Sequence, residues 1–167
     1  MAKETTICPK EAMCSVLFVC WGNICRSPTA EAIFKHLLKE RGVSESWRVD
    51  SAGTGEWNIG ELPDPRALHT LRVHGLDSDH KARVLVDEDF EQFEHIVVFD
   101  DKNIKDTLEM GPTRLSRDDL ILLGTFDSVH DSNIIEDPYY SVNNEDFETT
   151  YLICERACKS FLKSITL

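Results

Sequence analysis

One pattern narrows the fold of this chain more than any other: short apolar runs alternate with segments of helical period along nearly its whole length. "SVLFVC", residues 15–20, is an unbroken apolar run of strand length. "SPTAEAIFKHLLKERG" then places Ala30, Ile33, Phe34, Leu37 and Leu38 at helical spacing and closes on Gly42. "WRVDSAG" reads as a second strand. "DPRALHTLRVHG" carries Asp64 to cap, Pro65 in the first turn and Gly75 to stop. "DEDFEQF" suits one or two helical turns, "HIVVFD" a third strand, "KNIKDTLEM" a helix and "LILLG" a fourth strand. A long polar loop leads to the closing helix, "NEDFETTYLICERACKSFLKSI". Strands that are apolar on both faces and alternate with helices predict an α/β fold. The expected architecture is a four-stranded parallel sheet flanked by helices on both faces, doubly wound and Rossmann-like. Such sheets bind ligands outside the carboxyl ends of their strands, and Cys20 sits at such an end.

The 167 residues suit one domain, read here as a single domain over 15–167 behind a loose N-terminal extension over 1–14. No repeat, low-complexity tract or interdomain linker interrupts it. A net charge of −12 argues against nucleic acid or an anionic membrane as partner, though not against a small anion held in a local positive site. No apolar run approaches the ~20 residues of a membrane span, and the N-terminus lacks the apolar core of a signal peptide. The expectation is a cytoplasmic protein. Its six cysteines, Cys8, Cys14, Cys20, Cys25, Cys154 and Cys158, are then thiols by default. Cys154 and Cys158 share the apolar face of the last helix and read as small core residues. No C-x₂-C pair exists to suggest zinc.

Cys20 is followed after five residues by Arg26, in "CWGNICRS". The spacing alone is weak; its place between a strand and a helix N-terminus is what strengthens it. Free N–H groups and the helix dipole attract anions there, and successive N–H groups of a short loop form a concave nest. Gly22 allows unusual backbone angles, and Asn23 tolerates the left-handed region. A thiol in this field favours its thiolate form. Arg26 offers a planar fork for two oxygens of a tetrahedral oxyanion. Nucleophile, nest and fork together match phosphoryl transfer. No glycine-rich nucleotide loop with a lysine is present.

Transfer from an ester also needs an acid for the leaving oxygen. Asp137 in "IIEDPYYS" is the best placed, in a loop stiffened by the following proline. Tyr139 and Tyr140 are suited to flank an aromatic leaving group. By spacing alone, an ordinary Asp-Pro turn with two half-buried tyrosines is the better explanation of the segment.

"VLFVCWGNICRSPTAEAIF", with "DSAGT", "HKAR" and "IIEDPYY" following in that order, resembles the low-molecular-weight protein tyrosine phosphatases, in particular their eukaryotic branch. The resemblance runs from about Ser15 to the end. It implies a phosphatase fold of the kind predicted above. It also implies hydrolysis of phosphotyrosine through a cysteinyl-phosphate intermediate, with no metal and no cofactor. In that family's terms Cys20 is the nucleophile, Arg26 the phosphate clamp and Asp137 the acid and then the base. Trp21, Gly22, Asn23, Ile24 and Cys25 form the phosphate-binding loop. Asn23, Ser27, Ser51 and His80 form a polar network behind it, and Ser27 also stabilises the departing thiolate. Trp21, where animal members often have leucine, joins Trp57, Tyr139 and Tyr140 in an unusually aromatic rim, and Ser141 replaces a common glycine. Cys25 is the expected redox partner of Cys20. The implied partners are phosphotyrosine-containing proteins or peptides and inorganic phosphate or similar oxyanions. A monomer is expected, with exposed tyrosines that leave room for weak self-association.

Three other readings use the same residues. Arsenate reductases share the scaffold but need downstream thiols, and no cysteine lies between Cys25 and Cys154. A non-catalytic phosphotyrosine-binding module would be expected to lose Cys20, Arg26 or Asp137, and all are present. A redox sensor would use Cys20 and Cys25 without turnover.

Overall fold

The computed structural model describes residues 13–166. Strand β1, Cys14–Cys20, is buried along its whole length, as its unbroken apolar run requires. It pairs in parallel with β2, Trp47–Gly53, on one side and β3, His95–Val98, on the other, and β3 pairs with β4, Leu120–Leu122. The sheet order is β2-β1-β3-β4. The chain reverses direction across the sheet between β1 and β3, so the loops that follow these two strands flank the crevice where α/β sheets bind ligands. The predicted architecture is the observed one.

Successive residues of β1 face opposite layers. Val16, Phe18 and Cys20 pack with α1, Arg26–Glu40, and with the long closing helix α5, Glu145–Ile165. Phe18 meets Phe34 of α1 edge to face at 5.7 Å, and Phe34 meets Phe161 of α5 at 5.9 Å. Leu17 and Val19 point into the other layer, with Ile104 of α4, Asp101–Met110, and Phe93 just after the single turn α3, Asp89–Gln92. The remaining helix, α2 (Pro65–Val73), starts as its sequence predicts: Pro65 is first, and the Asp64 carboxylate accepts from the Arg66 backbone N–H. Cys154 and Cys158 are fully buried core residues, as expected.

Three expectations need adjusting. The "LILLG" strand stops at Leu122, and Leu123–Phe126 winds into a 3-10 turn closed by the Thr125 hydroxyl on the Leu122 carbonyl at 2.7 Å. Gly124 is needed in that turn, since a Cβ there would lie 2.1 Å from the Asn133 carbonyl oxygen. Cys20, Cys25, Cys154 and Cys158 are free thiols, but Cys14 is disulfide-bonded. A compartment argument concerns redox equilibrium; it does not say which sulfurs lie within reach. Lastly, strand structure already begins at Cys14, inside the span read as a loose extension, while residues 1–12 of that span lie outside the described residues.

Candidate active site

Cys20 ends β1 with 3% of its surface exposed, and its Sγ lies 2.9 Å from the Ser27 Oγ. The chain turns through Trp21–Cys25 and enters α1 at Arg26. No side chain caps this helix start, and no acidic residue lies in its first turn. The N-terminal N–H groups and their positive field are therefore left for an anion.

Asn23 is the only non-glycine residue with positive φ among the described residues, at 56°. Its carboxamide shapes the loop. Nδ2 donates to Ser27 Oγ at 2.8 Å and to Ser51 Oγ at 2.9 Å. Oδ1 accepts from His80 Nε2 at 2.8 Å and from the Arg83 backbone N–H at 3.0 Å. Because Oδ1 can only accept, the His80 Nε2 carries hydrogen. The network expected from the resemblance thus comes together residue by residue. His80, which spacing alone would have left on the surface, turns inward. The expected backbone freedom of Gly22 is not used: its φ is not positive, and the left-handed position falls on Asn23. Gly53 is the glycine this loop cannot do without. A Cβ there would sit 2.8 Å from the Trp21 carbonyl oxygen and 3.1 Å from Asn23 Cβ. The segment after β2 pins the loop from behind, through Thr54 N–H to the Cys20 carbonyl and Gly55 N–H to the Trp21 carbonyl.

Behind His80, Nδ1 lies 3.3 Å from Glu31 Oε1 and 3.7 Å from Asp50 Oδ1. One ligand atom from each of these three side chains falls within 4.8 Å of the others. Asp50 is engaged by the Ser51 N–H and by Arg83 Nε, and Glu31 accepts from Lys35 Nζ at Oε2, while its buried Oε1 has no hydrogen-bond partner.

Arg26 is buried, with 2% of its surface exposed. Nη1 donates to Asp100 Oδ2 at 2.6 Å and to the Ile135 carbonyl at 2.8 Å. Nη2 lies 3.7 Å from Asp137 Oδ2, and Nε is buried without a hydrogen-bond partner. Burial disfavours the charge, but the field of Cys20, Asp137 and Asp100 outweighs it, so the pKa is raised and the cation secured. The fork expected to grip an anion is thus partly committed: Nη1 fixes the guanidinium, while Nε makes no hydrogen bond and Nη2 has only the Asp137 carboxylate nearby. Asp100 was not singled out from the sequence. It follows β3 and also caps α4 by accepting from the Asn103 N–H at 2.7 Å, so its signal was only that of a helix cap.

Asp137 sits at the cleft edge, its side chain about a quarter exposed, and its Oδ1 accepts from the Tyr139 N–H at 3.2 Å. Cys20 and Asp137 line one cavity of about 320 Å³. Its walls are Trp21, Trp57, Tyr139 and Tyr140, with Gly22, Ile24 and Cys25 toward the loop. Trp21 and Trp57 have ring centroids 5.0 Å apart, and so do Tyr139 and Tyr140. Asn58, also in the wall, carries no signal in the sequence; it donates to the Gly22 carbonyl at 3.3 Å. Cys25 is buried beneath the loop. Burial, then the charges of Asp64, Cys20 and Asp137, push its pKa well up, so it stays a neutral thiol.

Comparison with known proteins agrees with this geometry. Residues 15–166 match the sequence model of the family described as low molecular weight phosphotyrosine protein phosphatase. A protein of that name from Sus scrofa is 46% identical over 152 residues, which is 90% of this chain and 95% of the relative. A protein tyrosine phosphatase crystal structure from Entamoeba histolytica superposes with a TM-score of 0.84 at 31% identity, covering 90% of this chain and 95% of that one. The crystal structure of a Drosophila arginine phosphatase superposes with a TM-score of 0.81 at 38% identity, covering 89% and 95%. The match over residues 15–166 takes in the sheet and the segments that carry Cys20, Arg26 and Asp137, and the chain belongs to the low molecular weight phosphotyrosine protein phosphatase family.

Proposed function

We propose that this chain hydrolyses phosphotyrosine in proteins and peptides, and smaller aryl phosphates, through a phosphocysteine at Cys20. The observation that carries this reading is the cavity lined by Cys20, by loop residues that lead into the uncapped α1, and by Asp137. The loop N–H groups of residues 21–26, with Arg26 Nε and Nη2, hold the three non-bridging phosphate oxygens. The Cys20 sulfur, as thiolate, attacks phosphorus while the bond to the phenolic oxygen breaks. Asp137 gives that oxygen its proton. In the second step the Asp137 carboxylate takes a proton from water, the water oxygen attacks phosphorus, and the S–P bond breaks. Ser27, 2.9 Å from the sulfur, donates to it as it leaves. No step calls for a metal or cofactor.

The aromatic walls favour a flat leaving group. Ile24 adds an apolar surface to the same cavity. Inorganic phosphate binds the same loop as product. We further read residues 15–167 as one catalytic domain, cytoplasmic and monomeric, with no nucleic-acid or membrane partner and only weak self-association through the exposed Tyr140. The net charge of −12 supports the first two absences. Among the described residues no helix is long and apolar enough to cross a membrane.

The test is phosphate release from a phosphotyrosine peptide with a metal chelator present, beside a phosphoarginine peptide and an arsenate-plus-thiol reaction. Turnover of phosphotyrosine well above the other two supports the proposal. Preference for phosphoarginine, thiol consumption with arsenate, or tight binding without release would each replace it.

A further inference from the structure

Arg66, on the first turn of α2, does not line the reaction cavity, yet its guanidinium is engaged at every nitrogen. Nε and Nη2 fork onto the Asp64 carboxylate at 3.0 and 2.9 Å. Nη2 also donates to the Tyr139 carbonyl at 3.1 Å, and Nη1 to the Ser141 carbonyl at 3.1 Å. The guanidinium carbon lies 4.5 Å from the Phe147 ring centroid and 5.7 Å from that of Tyr139. Asp64 in turn donates its backbone N–H to the Ile24 carbonyl, inside the phosphate loop, at 2.8 Å. A continuous chain of polar contacts therefore runs from residue 24 through Asp64 and Arg66 to the carbonyls on either side of Tyr140. Asp137 is tied to this same turn through the Tyr139 N–H.

We propose that Arg66 is a positioning residue for the general acid: it fixes the turn carrying Asp137 at a set distance from the phosphate loop. The proposal rests on the assignment of Asp137 as the acid made above. The geometry favours this role over simple surface pairing. An isolated exposed ion pair contributes little to stability. This guanidinium instead spans two loops that share no regular secondary structure. It holds two carbonyls of one and, through Asp64, the backbone of the other. Proton transfer demands hydrogen-bond distance between Asp137 and the leaving oxygen, and misplacement by about 1 Å can cost on the order of 10²-fold in rate. Only a planar fork with several fixed donors meets these acceptors at once; a lysine supplies one mobile point charge.

The experiment compares Arg66→Met and Arg66→Lys, each alone and combined with Asp137→Ala. Substrates are phosphotyrosine and an aryl phosphate with a much better leaving group; inhibition by inorganic phosphate is measured alongside. Met keeps an apolar stem against Phe147 and removes all the donors. Arg66→Met is expected to lower kcat on phosphotyrosine by about 10–100-fold, with a clearly smaller loss on the better leaving group. The inhibition constant for phosphate should stay within about twofold, because the loop and Arg26 are untouched. Arg66→Lys should fall between wild type and Met, and it keeps the test open should Met fail to fold. In the Asp137→Ala background neither change should slow turnover further, since the group being positioned is gone. Wild-type rates in both variants would overturn the proposal. So would an undiminished effect in the Asp137→Ala background, or a loss of phosphate binding that matches the loss of rate. Full activity of Asp137→Ala by itself would show that the acid assignment had failed first.

Discussion

Asn23→Ala should be among the most damaging single changes outside the reacting groups, and its cost can be worked from the loop. The Asn23 side chain makes four hydrogen bonds, two given by Nδ2 and two accepted by Oδ1. At roughly 1 kcal/mol net per bond, their loss comes to about 4 kcal/mol. Alanine at a φ of 56° adds about 1 kcal/mol, because it lacks the local bonding that lets asparagine occupy the left-handed region. Rotation of the Ser27 and Ser51 hydroxyls toward other partners recovers part of this, so the expected loss is about 3–5 kcal/mol. For a chain of this size that corresponds to a fall in Tm of about 6–20 °C. Thermal and urea unfolding measure it, with kcat/KM followed in parallel. Asn23→Gly should unfold above Asn23→Ala, since glycine accepts the positive φ, but below wild type. Asn23→Asp keeps the acceptor, loses both donors and places a carboxylate behind the loop. It should therefore lose more activity than its stability alone accounts for. An Asn23→Ala protein within about 1 kcal/mol of wild type would refute the idea that this side chain holds the loop.

Other outcomes follow from the same contacts. Asp137→Ala should slow hydrolysis of phosphotyrosine by about 10²–10⁴-fold and of a good leaving group much less; equal losses in a leaving-group series would remove the assignment. Peroxide should convert Cys20 to a sulfenic acid, and the neutral Cys25 thiol should then condense with it, releasing water and forming a disulfide that dithiothreitol reopens. Cys25→Ser should then regain clearly less activity after oxidation and reduction than wild type; equal recovery would deny Cys25 a redox role. The Arg156 fork on Asp127, at 2.9 and 2.8 Å, holds that carboxyl below the usual range. Its contribution to stability is therefore present above about pH 4 and lost as pH falls through the lowered folded-state value. The Tm difference between wild type and Asp127→Asn should shrink on acidification, and a difference that holds constant to pH 2 would contradict this.

Features set by neighbours along the chain are legible in the sequence itself. Asp64, Pro65 and Gly75 bound α2 because capping, a fixed φ and a left-handed turn are local events. The unbroken apolar run of β1 marks a strand buried on both faces, and its end marks the site. Features set by distant partners are not legible in this way. Asp100 meets Arg26 across 74 positions, and Arg66 meets Ser141 across 75. In sequence Asp100 reads as the end of a strand and Arg66 as part of an ordinary helix start. Gly53 looks like the end of a strand; only the closeness of the Trp21 carbonyl shows why no side chain fits. Ser51 and His80 come from the family resemblance alone, since nothing near them in sequence hints at Asn23. The left-handed residue of the loop is assigned too broadly from sequence, because glycine and asparagine side by side both permit it and only the fold selects Asn23.

The covalent intermediate is the central claim, and trapping it is the most direct test. Enzyme mixed with phosphotyrosine peptide and quenched in acid during turnover should carry one phosphoryl group, and peptide mapping should place it on Cys20. Cys20→Ser should carry none and release no phosphate, while still binding inorganic phosphate through the loop N–H groups and Arg26. Label on any other residue, or turnover by the Cys20→Ser protein, would contradict the account.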